Sequence, residues 1–217
     1  MIRKFLVLLC IFGLTVSFFA FSEGQQEVGA PAGEVQDAAP AEPTEPNECG
    51  TIIMAIQGDP ATLDGVVSTS NIVNIVAQHM YEKLLATDWA GEPQPMLAQD
   101  VKIENNGLRY TFNLRENIKF HNGKDMTAED VIASVERWMK VSDRGRRAGE
   151  YVNNISTPDD YTVVITLDKP FSELTTFLGY ANAGAYIMPK EIVDAAGEQP
   201  VEECSGTGPY KHDRAAG

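Results

Sequence analysis

Apolar and polar positions in the middle of the chain follow two different periods. Tyr110, Phe112 and Leu114 are separated by Arg109, Thr111, Asn113 and Arg115, the alternation of a strand with one buried face. Val131, Ile132, Val135, Trp138 and Met139 then fall at helical spacing and give one apolar stripe. Asn122-Gly123 between the two segments predicts a tight turn, because both residues tolerate a positive φ. Thr127 is placed to cap the helix, its hydroxyl accepting the N–H of Asp130. Ala128, Glu129 and Asp130 fill the first turn, where carboxylates suit the helix dipole. Two hairpins flank this unit. Val101–Glu104 is expected to pair with Leu108–Leu114 across Asn105-Asn106-Gly107, and Val152–Thr157 with Tyr161–Leu167 across Pro158-Asp159-Asp160.

The flanks are patterned more simply. Thr51–Gln57 is a short apolar run, consistent with a buried strand, and Gly58-Asp59-Pro60 ends it. Ser68-Thr69-Ser70-Asn71 reads as a polar loop entering a helix striped by Ile72, Ile75, Val76, Ala77 and Met80. Asp143-Arg144-Gly145-Arg146-Arg147-Ala148-Gly149 reads as an exposed, solvated basic loop. No strand, glycine loop and helix surround it as a phosphate site would require. Phe171, Leu174, Phe177 and Leu178 suggest a short helix, Ile187-Met188-Pro189 a brief strand, Glu191–Ala196 a helix ended by Gly197, and Gly206–Lys211 a strand.

The start of the chain adds a cellular address. Arg3-Lys4, the apolar run from Phe5 to Phe21, and the small residues Ala20 and Ser22 form the pattern of a secretory signal peptide, residues 1–22. Residues 23–48 hold seven acids, no bases and only Val28 and Val35 as larger aliphatics. That composition predicts a disordered acidic Ala/Pro/Glu linker. The folded part is then residues 49–217, exported, in the periplasm or attached to the cell envelope. A formal net charge of −14 argues against nucleic acid and anionic membrane surfaces as partners.

Catalytic chemistry has little to stand on. His79, His121 and His212 have no partner at metal-ligand spacing, and no nucleophile elbow, phosphate loop or dinucleotide fingerprint is present. Glu129 and Asp130 point about 100° apart on a helix, and its N-terminal turn explains both. No cofactor or metal is expected.

The run Tyr110-Thr-Phe-Asn-Leu-Arg-Glu-Asn-Ile-Lys-Phe-His-Asn-Gly-Lys124, followed by Met126-Thr-Ala-Glu-Asp-Val131, resembles the signature of the peptide/nickel family of ABC-transporter solute-binding proteins, extracellular solute-binding family 5. Gly58-Asp-Pro-Ala-Thr-Leu-Asp64 resembles that family's first strand and turn, and Gly206-Thr-Gly-Pro-Tyr-Lys211 its return strand. The resemblance implies an α/β fold of the periplasmic-binding-protein type (type II, cluster C). Strands 51–57 and 206–211 would share one sheet, with an α+β subdomain inserted at about 67–185. It implies capture of a small solute, most often a peptide, by lobe closure and its delivery to the membrane permease of an ABC importer, with no enzymatic step. It puts the loop after Asp64 at the cleft edge, so Thr69, Ser70 and Asn71 would hydrogen-bond the ligand main chain. Capping of the following helix by Ser70 or Asn71 is the competing role. It also brings Cys49 and Cys204 into one subdomain, where they would form a disulfide or remain two free thiols. The family continues past Lys211 into a second lobe, so the chain is expected to hold only part of the first lobe. A nonfunctional truncated fragment and an exported hydrolase are the alternatives.

Overall fold

The computed structural model describes residues 50–213. The expected signal peptide, the acidic linker and Cys49, with its pairing to Cys204, lie outside the described residues. All packing described below lies within residues 53–213.

A four-stranded antiparallel sheet carries the core. Its strands are β3 (Ala98–Glu104), β4 (Arg109–Leu114), β5 (Val152–Asp159) and β6 (Thr162–Leu167), in the order β3-β4-β6-β5. Both predicted hairpins are present, with Glu104 opposite Arg109 and Asp159 opposite Thr162. Asn105, Asn106 and Gly107 all take positive φ, which explains the polar, glycine-ended first turn. Tyr110, Phe112 and Leu114 face the core, as their alternation requires. A small hairpin of β1 (Leu85–Thr87) and β2 (Pro93–Pro95) lies outside this sheet.

Helix α2 (Ala128–Val141) packs across β5 and β6 and buries Val131, Val135 and Trp138. Thr127 and Asp130 form its capping box, with the Thr127 N–H donating to Asp130 Oδ2 at 2.9 Å. Asp130 is fully buried and also accepts from Lys124 Nζ at 2.7 Å and the Lys190 N–H at 2.8 Å. One cap therefore fastens the 122–124 turn and the start of α5 (Lys190–Ala196). Helices α1 (Asn71–Met80) and α4 (Leu174–Gly179) complete the expected set.

Four expectations change. Residues 143–149 form a helix, α3 (Asp143–Gly149), rather than a loop. Gly145 makes this possible: a Cβ there would lie 1.9 Å from the Trp138 carbonyl oxygen, so only glycine lets α3 turn back on α2. Residues 51–57 carry no strand, and Ile53 and Met54 are exposed. Residues 206–211 carry none either, nor does 187–189. The expected pairing of 51–57 with 206–211 in one sheet is not seen among the described residues. The backbone of the latter has other partners. The Gly208 and Tyr210 N–H groups donate to the carbonyls of Met80 and His79, at 2.9 and 3.1 Å. His121 completes this clasp: its Nδ1 accepts the Gly206 N–H at 3.2 Å, and its Nε2 lies 2.7 Å from the Gly208 carbonyl, which places the ring proton on Nε2. A Cβ on Gly206 would sit 2.1 Å from the Met80 carbonyl oxygen, so this approach too requires glycine.

One buried ion pair joins the parts distant in sequence. Arg137 Nη2 donates to Asp64 Oδ2 at 2.6 Å and to the Gln199 carbonyl at 2.7 Å, while Nε donates to the Gly197 carbonyl at 2.7 Å. Asp64 accepts in addition from the N–H groups of Val66 and Val201. Removing one partner of such a pair strands the other charge in the core. Asp64→Ala is expected to lower the unfolding free energy by about 3–5 kcal/mol, measured by urea titration.

Lys83 is the buried charge without such a partner. Its ammonium lies 4.8 Å from the centre of the Tyr186 ring, and no carboxylate pairs with it among the described residues. Burial drives its pKa down from 10.5 to about 8, against a small opposing pull from Glu82. The unfolded chain therefore binds more protons between about pH 8 and 10.5, so the cost of this charge is full below pH 8 and disappears as pH rises through that window. Lys83→Met should stabilise the fold by about 2 kcal/mol at pH 7, and the gain should shrink towards zero near pH 10.5 in parallel denaturation curves.

Candidate functional site

The loop before α1 is held by side chains on both sides of it. Ser70 occupies the N-cap position of α1, yet its hydroxyl makes no cap hydrogen bond. The capping role expected of Ser70 or Asn71 is not what fixes the loop. Asn74, buried in the first turns of α1, does so. Its Nδ2 donates to the carbonyls of Ser68 (2.8 Å) and Ser70 (3.0 Å) and to Asn182 Oδ1 (3.2 Å). Its Oδ1 accepts from the Ala183 N–H at 3.0 Å and the Tyr186 hydroxyl at 3.4 Å. Asn182 returns the contact, donating to the Thr69 carbonyl at 2.8 Å and to Asn71 Oδ1 at 3.3 Å. Residues 68–71 are thus tied to residues 182–186. Burial keeps the Tyr186 hydroxyl protonated by pushing its pKa up, so it remains a donor.

Ala183 sits where these ties converge, and its φ is +51°. A left-handed alanine costs about 1–2 kcal/mol, and here three hydrogen bonds hold it. Its N–H goes to Asn74, and its carbonyl accepts from Trp138 Nε1 at 3.0 Å and Ser142 Oγ at 3.2 Å. Left-handed residues held by their surroundings concentrate at binding and catalytic sites.

Beside this residue opens a groove of about 430 Å³ lined by Thr69, Ser142, Asp143, Arg144, Arg147, Phe177 and Ala183. Arg144 lies 3.7 Å over the Tyr180 ring and donates from Nη1 to the Asn182 carbonyl at 3.1 Å. Arg147 is 5.9 Å from the centre of the Phe177 ring and 3.7 Å from Glu173. Asp143 pairs with Arg146. Of the three residues expected to bind ligand, Thr69 lines the groove, while Ser70 and Asn71 are exposed on the same loop without lining it. Among the described residues, the hydroxyls of Thr69 and Ser70 have no hydrogen-bond partner. Sequence reasoning missed Asn74, Asn182, Arg144 and Arg147. The one legible hint was an asparagine in the helix among Ile72, Val73, Ile75 and Val76. Larger open hollows elsewhere contain none of the residues expected to bind ligand; one runs between α2 and α5 with Glu129, Glu136, Asp194, Lys140 and Lys190 on its walls.

The profile of the bacterial extracellular solute-binding proteins, family 5 Middle, matches residues 92–215. The chain belongs to family 5 of the bacterial extracellular solute-binding proteins. It is similar to the probable peptide ABC transporter periplasmic-binding protein y4tO of Sinorhizobium fredii (strain NBRC 101917 / NGR234), 32% identical over 170 residues that cover 76% of this chain and 31% of that protein. The glutathione-binding protein GsiB of Escherichia coli O1:K1 / APEC is 32% identical over 164 residues, 75% of this chain and 32% of that protein. Among solved structures, the ABC transporter-associated periplasmic binding protein DppA from Helicobacter pylori, in complex with the peptide STSA, aligns with a TM-score of 0.60 and 25% identity over 70% of this chain and 34% of that one. The expected periplasmic-binding-protein fold, present in part, is therefore shared with a solved periplasmic binding protein. The chain spans about a third of the length of the curated relatives it matches.

The ties to Asn74 should govern the order of the whole loop. Asn74→Ala is expected to cost about 1–3 kcal/mol and to speed hydrogen exchange at the Ala183 amide more than at the amides of β4, read by two-dimensional NMR.

Proposed function

We propose that this chain serves as the extracytoplasmic solute-binding component of an ABC importer and that its solute is a peptide. Membership of family 5 supports the class of function. The relatives support the solute: one is described as a peptide transporter component, and the other as a binder of glutathione, a tripeptide. On this reading the ligand is captured reversibly without covalent chemistry, in the cell envelope, and passed to a membrane permease.

The observation that carries the assignment is the Ser68–Asn71 loop. Its backbone is fixed by the amides of buried Asn74 and half-buried Asn182 while the Thr69 and Ser70 hydroxyls stay open to an incoming main chain. Fixing the donors beforehand lowers the ordering cost of binding. Asn71 adds a side-chain amide on the same loop, its Oδ1 held by Asn182.

Calorimetric titration of the chain with di- to pentapeptides tests the reading. Saturable binding is expected, weakened about three- to tenfold by Thr69→Val or Ser70→Ala, one neutral hydrogen bond each. Absence of binding to every peptide, or affinities indifferent to both substitutions, would overturn it, as would turnover of a bound peptide.

A further inference from the structure

Helix α3 carries three arginines, and they are not equivalent. Arg146 pairs with Asp143, and Arg147 approaches Glu173 at 3.7 Å. Arg144 has no carboxylate partner among the described residues. Among the described lysines and arginines that are buried or half-buried, only Arg144 and Lys83 lack an acid partner, and Lys83 lies in the core rather than beside the groove. Nor is Arg144 a loose surface side chain. Its guanidinium is stacked on Tyr180 and pinned by one N–H to the Asn182 carbonyl, the same residue that holds the Thr69 carbonyl. Five N–H groups leave a guanidinium in a planar fork, so most of its donors remain after that bond.

The groove around it has a matching character. Phe177 and Ala183 provide apolar walls, the Thr69 hydroxyl is an open donor, and the Ser142 hydroxyl is occupied as a donor by the Ala183 carbonyl. The Asp143 carboxylate on the lining is neutralised by its own pair with Arg146. The unbalanced charge facing the groove is positive, set in a planar donor array with an apolar wall beside it.

We propose that Arg144, together with Thr69, forms a carboxylate subsite, so that the favoured solute carries a carboxylate seated in this groove. The proposal rests on the peptide-binding reading for its ligand class: the carboxylate belongs to an acidic side chain or to the peptide C-terminus. Arg144 takes the two carboxylate oxygens on its free N–H edge, the geometry in which a guanidinium discriminates most strongly. Thr69 donates to one of the same oxygens, and Phe177 and Ala183 cover the adjoining methylenes. Arg147, shared with Glu173, adds positive potential from the edge. Lysine keeps the charge at position 144 and loses both the fork and the stacking.

The test combines calorimetry with NMR of the arginine Nε–H groups of the full chain. The probes are Ala-Glu-Ala, Ala-Gln-Ala and the C-terminal amide of each. Replacing the decisive carboxylate by its amide should weaken binding by about tenfold or more, the loss of a charge-assisted bidentate contact. Glutamine for glutamate identifies a side-chain carboxylate, and the amide end a terminal one. Arg144→Lys should remove the same preference, Arg147→Ala should reduce it less, and the Arg144 Nε–H resonance should shift only with carboxylate-bearing probes. Equal affinity for all four peptides, or a preference that survives Arg144→Lys, would overturn the subsite while leaving the peptide reading intact. If no peptide binds, the peptide reading fails, and N-acetylglutamate against N-acetylglutaminamide, which carries no carboxylate, at millimolar concentration decides the subsite alone. An Arg144 resonance moved by the acid and not by the amide upholds it; a resonance unmoved by both overturns it.

Discussion

The pairing of Asp64 with Arg137 is the constraint on which the arrangement turns. Arg137 stands on α2, Asp64 in the turn before the 68–71 loop, and the remaining guanidinium bonds reach the carbonyls of Gly197 and Gln199. A hydrophobic contact could be replaced by another of similar volume and leave the register of these segments loose. A fully desolvated ion pair cannot slip in that way, because each donor must find its acceptor or leave a charge unpaired in the core. The described segment before α1 therefore enters at a fixed position relative to α2, although no strand among the described residues holds it there.

Fixing that entry point makes the second network possible. Asn74, from the first turn of α1, and Asn182 form a short bridge of side-chain amides between residues 68–70 and residues 181–183, which have no regular secondary structure of their own. Regular elements satisfy their backbone groups internally; these loops do so through two asparagines, and the result is equally definite. The surface left over consists of hydroxyls and guanidinium N–H groups that the protein does not consume. Order in the backbone and openness in the side chains is the combination a binding loop needs, since ordering after the ligand arrives would weaken affinity.

Much of the framework was legible in the sequence because its signals are local. The alternation in β4, the Asn-Asn-Gly turn, the Thr127–Asp130 cap and the stripe of α2 each depend on residues within one or two turns of each other. The segment 143–149 was not legible, because a run of arginines and glycines has no apolar period. It is helical owing to a close approach between Gly145 and the Trp138 carbonyl. The strand reading of 51–57 failed for a related reason: an apolar run signals burial without naming a neighbour. That of 206–211 matched the family's return strand, and this segment is bonded to the end of α1 and to His121 instead. At the candidate site, Thr69 came from family resemblance, whereas the asparagine bridge joins residues 108 positions apart and leaves no trace in spacing.

The left-handed backbone at Ala183 narrows what substitution can do at this position. The site is buried, so a larger side chain has no room, and a β-branched one would meet the wrong backbone handedness as well. Glycine alone would relax the backbone without a clash, and it would do so by giving the peptide unit other conformations to visit. Drift at this residue is confined to an exchange between a tense, well-placed groove wall and a slacker one, which makes it a natural dial for how rigid the neighbouring groove is.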